Sequence, residues 1–205
     1  MIEIVEYKNE YAKDLSEIIL DNMYKINIKE HGKDIIDRIS KYFTEDEIKK
    51  NFPQRIKCLV ALKNKKVVGT ASIDRYKGDK TGKKYIVLTV FVKIKNHRQG
   101  IGKELIESIE KIAVNVGCKE LVIPSSVYAC EFYRKFGFDY LDGKKIQNED
   151  KEYIYYFPCI KSKNVIVIYS NGYQETVATS LEYGDITIED LERNNIEFIK
   201  HKKDM

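Results

Sequence analysis

The chain has 205 residues, 43% of them apolar and 33% charged, with a net charge of +4. That suits a domain of about 150 residues with an appendage, and it excludes gross disorder. Acidic and basic residues interleave without a long Lys/Arg block, so charge gives no case for nucleic acid; no stretch reaches the ~18 apolar residues of a membrane span.

Residues 1–7 lack the basic start and apolar run of a signal peptide. Residues 2–6 read as a first strand. Residues 11–24 place Leu15, Ile18, Ile19 and Met23 at helical spacing, and residues 33–42 do the same with Ile35, Ile36 and Ile39. Thr44 and Glu47 have the spacing of a capping box, which opens a third helix. Residues 58–62 and 67–74 read as a hairpin around a polar turn, followed by a Gly/Lys/Asp loop over 76–83. Residues 85–92 are almost continuously apolar and β-branched, as expected of a strand covered on both faces.

Residues 102–116 form an amphipathic helix, and Gly117 takes the left-handed cap. A strand follows over 121–124, a helix over 127–135 ended by Gly137, and a strand over 153–157. Beyond residue 160 the pattern restarts. Strands at 165–169 and 173–179 flank Asn171-Gly172, a two-residue turn signal. A short helix capped by Thr187 and carrying Leu191 follows, then a strand over 196–199. The expected organisation is a main domain over 1–160 and a small appendage over 161–205. The main domain should be an α/β fold, a mixed twisted sheet flanked by helices; the appendage should be β/α.

Cys58, Cys118, Cys130 and Cys159 are scattered without metal-ligand spacing. They read as four reduced thiols of a cytoplasmic protein, with no metal centre. His31 and His201 lie in polar surroundings and read as exposed.

The chemistry begins at His97-Arg98-Gln99-Gly100-Ile101-Gly102-Lys103, between the apolar strand and the long helix. Glycines there permit positive φ and close approach of a ligand. Unpaired amides at the positive end of a helix make a phosphate cradle. Two phosphate-loop patterns fail. Gly78 to Lys83 is one residue short of a P-loop, with Lys84 where the hydroxyl belongs, and Leu105 stands where a dinucleotide fingerprint has its third glycine.

The stretch 67–138 resembles the GNAT superfamily of N-acetyltransferases. Its loop, Q/R-x-x-G-x-G/A, is matched by His97 to Gly102, with His97 in the first position. Its later motif, N-x-x-A-x-x-[LF]-Y-x-K-x-G-F, is matched from Ser126 by Ala129, Phe132, Tyr133, Lys135, Gly137 and Phe138. Ser126 takes the Asn position, and Ile94 replaces the proline that usually ends the preceding strand.

The resemblance implies the GNAT fold and acetyl-CoA as cosubstrate. It implies cofactor contacts at Phe91, Val92, His97, Arg98, Gln99, Gly100, Ile101, Gly102, Lys103, Ser126 and Tyr133. The backbone of Phe91 and Val92 would pair with the pantetheine arm, and the His97 imidazole would donate to a phosphate. The implied reaction is direct attack of a primary amine on the thioester in a ternary complex. Tyr133 would be the acid beside the sulfur, and the Val92 amide would polarise the carbonyl. The base stays open between Asp74 and a water chain to backbone carbonyls or to N-terminal carboxylates. Acceptor walls would come from residues 11–52 and 76–83, and a homodimer would follow the family's habit. Two other readings remain: a non-catalytic acyl-CoA-binding regulatory domain, and an interaction module whose C-terminal hairpin extends a partner's sheet.

Overall fold

The computed structural model describes residues 1–140 and, beyond them, the backbone of strands Tyr153–Pro158, Ser162–Ile168, Gln174–Ser180 and Glu197–Lys200. The strands among the described residues are β1 Ile2–Glu6, β2 Lys57–Lys63, β3 Lys66–Arg75, β4 Lys84–Val92, β5 Glu120–Ser125, β6 Asp139–Tyr140, and those four as β7 to β10. The helices are α1 Ala12–Asn22, α2 Ile28–His31, α3 Lys33–Ser40, α4 Glu45–Asn51, α5 Ile101–Asn115 and α6 Val127–Arg134. The chain divides into two compact units, Met1–Phe157 and Pro158–Met205.

In the first unit the sheet order is β1-β2-β3-β4-β5-β7-β6. Strands β1 to β4 run antiparallel to their neighbours, and β5 joins β4 in parallel, so the sheet is mixed as expected. Strands β2 and β3 are buried along most of their length because helices cover both faces. Cys58 and Val60 share a core with Leu15, Ile19, Ile36, Ile48 and Phe52 of the N-terminal helices. Successive side chains of a strand alternate in face, so Gly69, opposite Ala61, lies on the other side, where Ile101 and Leu105 of α5 pack.

A Cβ at Gly69 would stand 2.9 Å from the Phe91 carbonyl oxygen and 3.3 Å from Leu105. Gly69→Ala should therefore cost about 1–3 kcal/mol through overpacking. A thermal melt reads this, and an unchanged midpoint would mean that β4 moves aside freely.

Local signals hold with refinements. Thr44 Oγ1 accepts the Glu47 amide at 3.3 Å, but the Glu47 carboxylate turns to Asn51 at 2.8 Å, so half of the capping box forms. The first helix does not stop at 24. It continues as a π-helical turn, Met23–Asn27, into α2 and ends at Gly32 with φ of 80°. The loop between β3 and β4 folds around Asp79, whose carboxylate accepts the amides of Thr81, Lys83 and Lys84 at 2.8–3.0 Å. Those amides, Lys84 first, hold its carboxyl down to about 2. The near-P-loop sequence thus serves its own turn.

Cys58 and Cys130 are free, whereas Cys118 is disulfide-bonded, which corrects the expectation of four reduced thiols. His31 is also corrected: it is buried, 8% exposed. His201 lies outside the described residues. Among the described residues no helix is long and apolar enough to cross a membrane.

The second unit contains an antiparallel sheet in the order β10-β8-β9. Strand β8 pairs with β9 from Ser162 opposite Ser180 to Ile168 opposite Gln174. The turn expected at Asn171-Gly172 and the helix expected after Thr187 lie outside the described residues.

Candidate active site

Strand β4 is paired with β5 only over Lys84 to Ile86. Beyond that point the strands part. The cause sits in β4 itself. Its register against β3 shifts between Thr70 and Ser72, leaving Thr89 and Val90 opposite Ala71 alone. Thr89 has φ of 52° there, a strained value for a β-branched residue and one mark of a bulge that re-aims a strand. No residue-type signal in 85–92 marks this bulge, since Thr is an ordinary strand residue.

A cavity of about 780 Å³ fills the gap. One arm runs along β4 to the start of α5 and to α6. The other runs under Asn22, Met23, Ile26, Ile39 and Phe43. Of the residues singled out in the sequence, Phe91, Val92, His97, Arg98, Ile101, Gly102, Ser126 and Tyr133 line it; Gln99, Gly100 and Lys103 stand just outside its lining. Lys103 lies 3.7 Å from Glu107, and the Gln99 side chain accepts from Lys63 Nζ at 2.7 Å, turned toward the β2–β3 hairpin.

The start of α5 has the form of an anion cradle. Gly100 is the N-cap in the left-handed region, φ 82°, with Arg98 also positive at 60°. No side chain caps the helix, so its first amides keep their donors for something else. The two glycines have different reasons. A Cβ on Gly100 would meet open space, so only its φ demands glycine. A Cβ on Gly102 would stand 3.0 Å from the Phe132 ring, so α6 demands that one. This cradle beside an unpaired strand suits the pyrophosphate and pantetheine arm of CoA.

His97 turns one ring nitrogen back toward β4. Its Nε2 lies 2.8 Å from the Val92 carbonyl, which can only accept, so Nε2 donates there and Nδ1 is the ring nitrogen left for any other contact. Asn22 Nδ2 donates to the same carbonyl at 3.0 Å, which occupies both of its lone pairs. Pairing of this strand with a pantetheine arm therefore cannot use the Val92 carbonyl. The Val92 amide differs. The Lys93 amide donates to the Val68 carbonyl at 2.8 Å, so by strand alternation the Val92 amide faces away from β3, into the gap.

Tyr133 is buried, 5% exposed, and set among Phe132 and Phe138 at ring separations of 5.1 and 6.0 Å. Burial first, and the Cys130 thiol second, push its phenol above the ordinary tyrosine value. Ser126 starts α6 without capping it through its side chain.

Asp74 does not reach the cavity; its carboxylate accepts the Arg75 amide at 2.8 Å near the far end of β3. The loop 76–83 contributes no lining residue either. The second arm of the cavity is built instead from the N-terminal helices, including the π-helical turn, and from Arg55. Among the described lining residues Glu131 is the only carboxylate, and it lies 3.5 Å from Arg134.

Sequence reasoning missed Asn22, His31, Arg55 and Thr89. Asn22 had a signal: a polar residue on an otherwise apolar helix face. Arg55 had none beyond its place before a buried strand.

Residues 20–138 match the model of the acetyltransferase (GNAT) family. The fold resembles the PaiA N-acetyltransferase of Thermoplasma acidophilum, solved with coenzyme A, at TM-score 0.65 and 18% identity, covering 77% of this chain and 99% of that one. It also resembles a GNAT-family acetyltransferase of Staphylococcus aureus Mu50, at TM-score 0.60 and 21% identity, covering 78% and 99%. A third is a putative GNAT acetyltransferase of Desulfovibrio desulfuricans, at TM-score 0.59 and 14% identity, covering 78% and 99%. A comparison with curated proteins gives no match.

Proposed function

Because the chain belongs to the acetyltransferase (GNAT) family, whose acyl donor is acetyl-CoA, we propose that it acetylates a primary amine held beside that donor in the one cavity. The observation that carries this reading is the parting of β4 from β5 beyond Ile86, next to the uncapped start of α5. The cavity then continues to a second arm under the N-terminal helices, with room for an acceptor.

Acetyl-CoA supplies the activated acetyl group as a thioester. The amides of Ile101, Gly102 and Lys103, with Arg98, hold its pyrophosphate at the positive end of α5. Gly100 sets the turn and Gln99 braces it against the hairpin. Phe91, Val92 and Ser126 flank the arm that leads to the thioester. The Val92 amide polarises the carbonyl oxygen. The Tyr133 hydroxyl donates to the leaving sulfur. His97 acts indirectly, by fixing the β4 end through the Val92 carbonyl.

Direct attack fits the thiols. Neither Cys58 nor Cys130, the free cysteines among the described residues, lines the cavity, and burial pushes Cys58 up to about 11, so it is not a thiolate at neutral pH. With no carboxylate from the N-terminal helices in the acceptor arm, the amine enters neutral, having lost its proton to solvent.

Calorimetry with acetyl-CoA, followed by thiol release across a panel of amines, tests the reading. Micromolar binding and amine-dependent release are expected. Absence of binding at millimolar acetyl-CoA removes the donor site, and binding without release from any amine removes the transfer step.

A further inference from the structure

Arg55 has no part in the donor site, yet it lines the same cavity. It precedes β2 and reaches across the sheet floor to the bulge in β4. Its Nη1 donates to Ser72 Oγ at 2.6 Å and to Thr89 Oγ1 at 2.9 Å. Those bonds use both protons of Nη1. The guanidinium stacks on the Phe52 ring at 4.5 Å. Ser72 in turn bonds the Leu88 carbonyl at 3.0 Å and the Thr89 hydroxyl at 2.9 Å. The side chain is thus held by two hydroxyls and an aromatic face.

Arg55 forms no ion pair among the described residues, and the Asp74 carboxylate acts on it only through space. Its remaining polar neighbour is the Cys58 thiol. A half-buried guanidinium with no carboxylate bonded to it among the described residues suits an anionic ligand, which would offset the charge that burial penalises. Beyond Nη1 the planar fork keeps the Nη2 and Nε donors, with the Cys58 thiol as their neighbour, and a carboxylate can meet such a fork with two bonds.

The rest of the arm agrees. Met23, Ile26, Ile39 and Phe43 make its wall apolar, and no Asp or Glu from the N-terminal helices enters the lining. Such an arm rejects a polyamine, whose second ammonium would find no anion and would face Arg55.

We propose that Arg55 is the carboxylate-binding residue of the acceptor arm, and that the acceptor is an amino acid: a primary amine carrying its own carboxylate, with apolar atoms between or beside them. This rests on the acetyl-transfer reading for the arm's role, but it is tested by binding alone.

The experiment titrates protein saturated with CoA, by calorimetry, with leucine, phenylalanine and 6-aminohexanoate, with the methyl ester of each, and with spermidine. At least one acid should bind about 10- to 100-fold more tightly than its ester, the range for a hydrogen bond to a charged partner. Arg55→Gln should abolish that difference, and Arg55→Lys should restore part of it. The comparison of acid with ester uses the unaltered protein, so it stands even if a variant misfolds. Equal binding of acids and esters, no binding of any acid, or preference for spermidine overturns the proposal. So does an Arg55→Gln variant that weakens acid and ester alike, which would leave Arg55 as a brace for the bulge. Failure of amine-dependent thiol release, with the acid preference intact, would count against acetyl transfer and not against this assignment.

Discussion

Replacing Tyr133 by Phe should lower kcat about 100-fold, at the lower end of the range for a positioned proton donor, and leave the dissociation constant of acetyl-CoA within about two-fold. The substitution keeps the ring that Phe132 and Phe138 pack against, so only the hydroxyl is tested. Burial raises the phenol above its ordinary value, which fixes the kind of help it gives. A thiol titrates near ~8.5, so full transfer from a phenol above ~10 is uphill in the ground state. The hydroxyl instead bonds the sulfur as negative charge grows there, from a buried position. Such a bond is stronger in the transition state than in the ground state, so its loss falls on kcat and spares binding. The direction of the shift also predicts that the ratio of wild-type to variant kcat stays constant to about pH 10. A raised value keeps the hydroxyl protonated throughout that span. Steady-state kinetics against pH, with calorimetry for acetyl-CoA, measures both parts. Turnover equal to wild type would remove Tyr133 from the chemistry.

Much of this architecture is legible in the residues because their periods are local. The run at 85–92 announces a strand covered on both faces, and Gly117 and Gly137 mark helix ends with φ of 73° and 87°. The loop from His97 to Lys103 announces a helix start with free amides. Features created by tertiary contact are silent. Thr89 reads as one more β-branched residue, although its positive φ opens the cavity. His31 stands in a polar stretch, and its burial depends on a π-helical turn that no periodicity predicts. Asp74 is well placed along the chain for a base, but strand length carries it away from the cavity. His97 fits the motif's first position while its proton is directed back at β4. Motifs report which residue types sit where along the backbone; the partner of each polar atom is decided by strands far away in sequence.

Gly102 exposes the same division, and Gly102→Ala should raise the dissociation constant of acetyl-CoA about 10-fold. The added methyl would lie 3.0 and 3.2 Å from two carbons of the Phe132 ring, closer than side-chain carbons settle. Either the start of α5 lifts or the ring moves, and overpacking of this kind costs about 1–3 kcal/mol. A tilt of α5 swings the amides that face the cavity, so the cost appears in binding as well as in stability. Phe132 also contacts Phe136 and Tyr133, at 5.0 and 5.1 Å, which limits its retreat. The close approach of a phosphate would demand glycine too, and a single substitution cannot separate these causes. A second one does. Adding Phe132→Leu to Gly102→Ala vacates the ring, and the double variant should recover most of the lost affinity once the cost of Phe132→Leu alone is subtracted. The coupling energy of that cycle isolates the pair. Binding that stays as weak in the double variant would transfer the requirement from the aromatic ring to the ligand, and Gly102 would then be glycine because a phosphate passes over it.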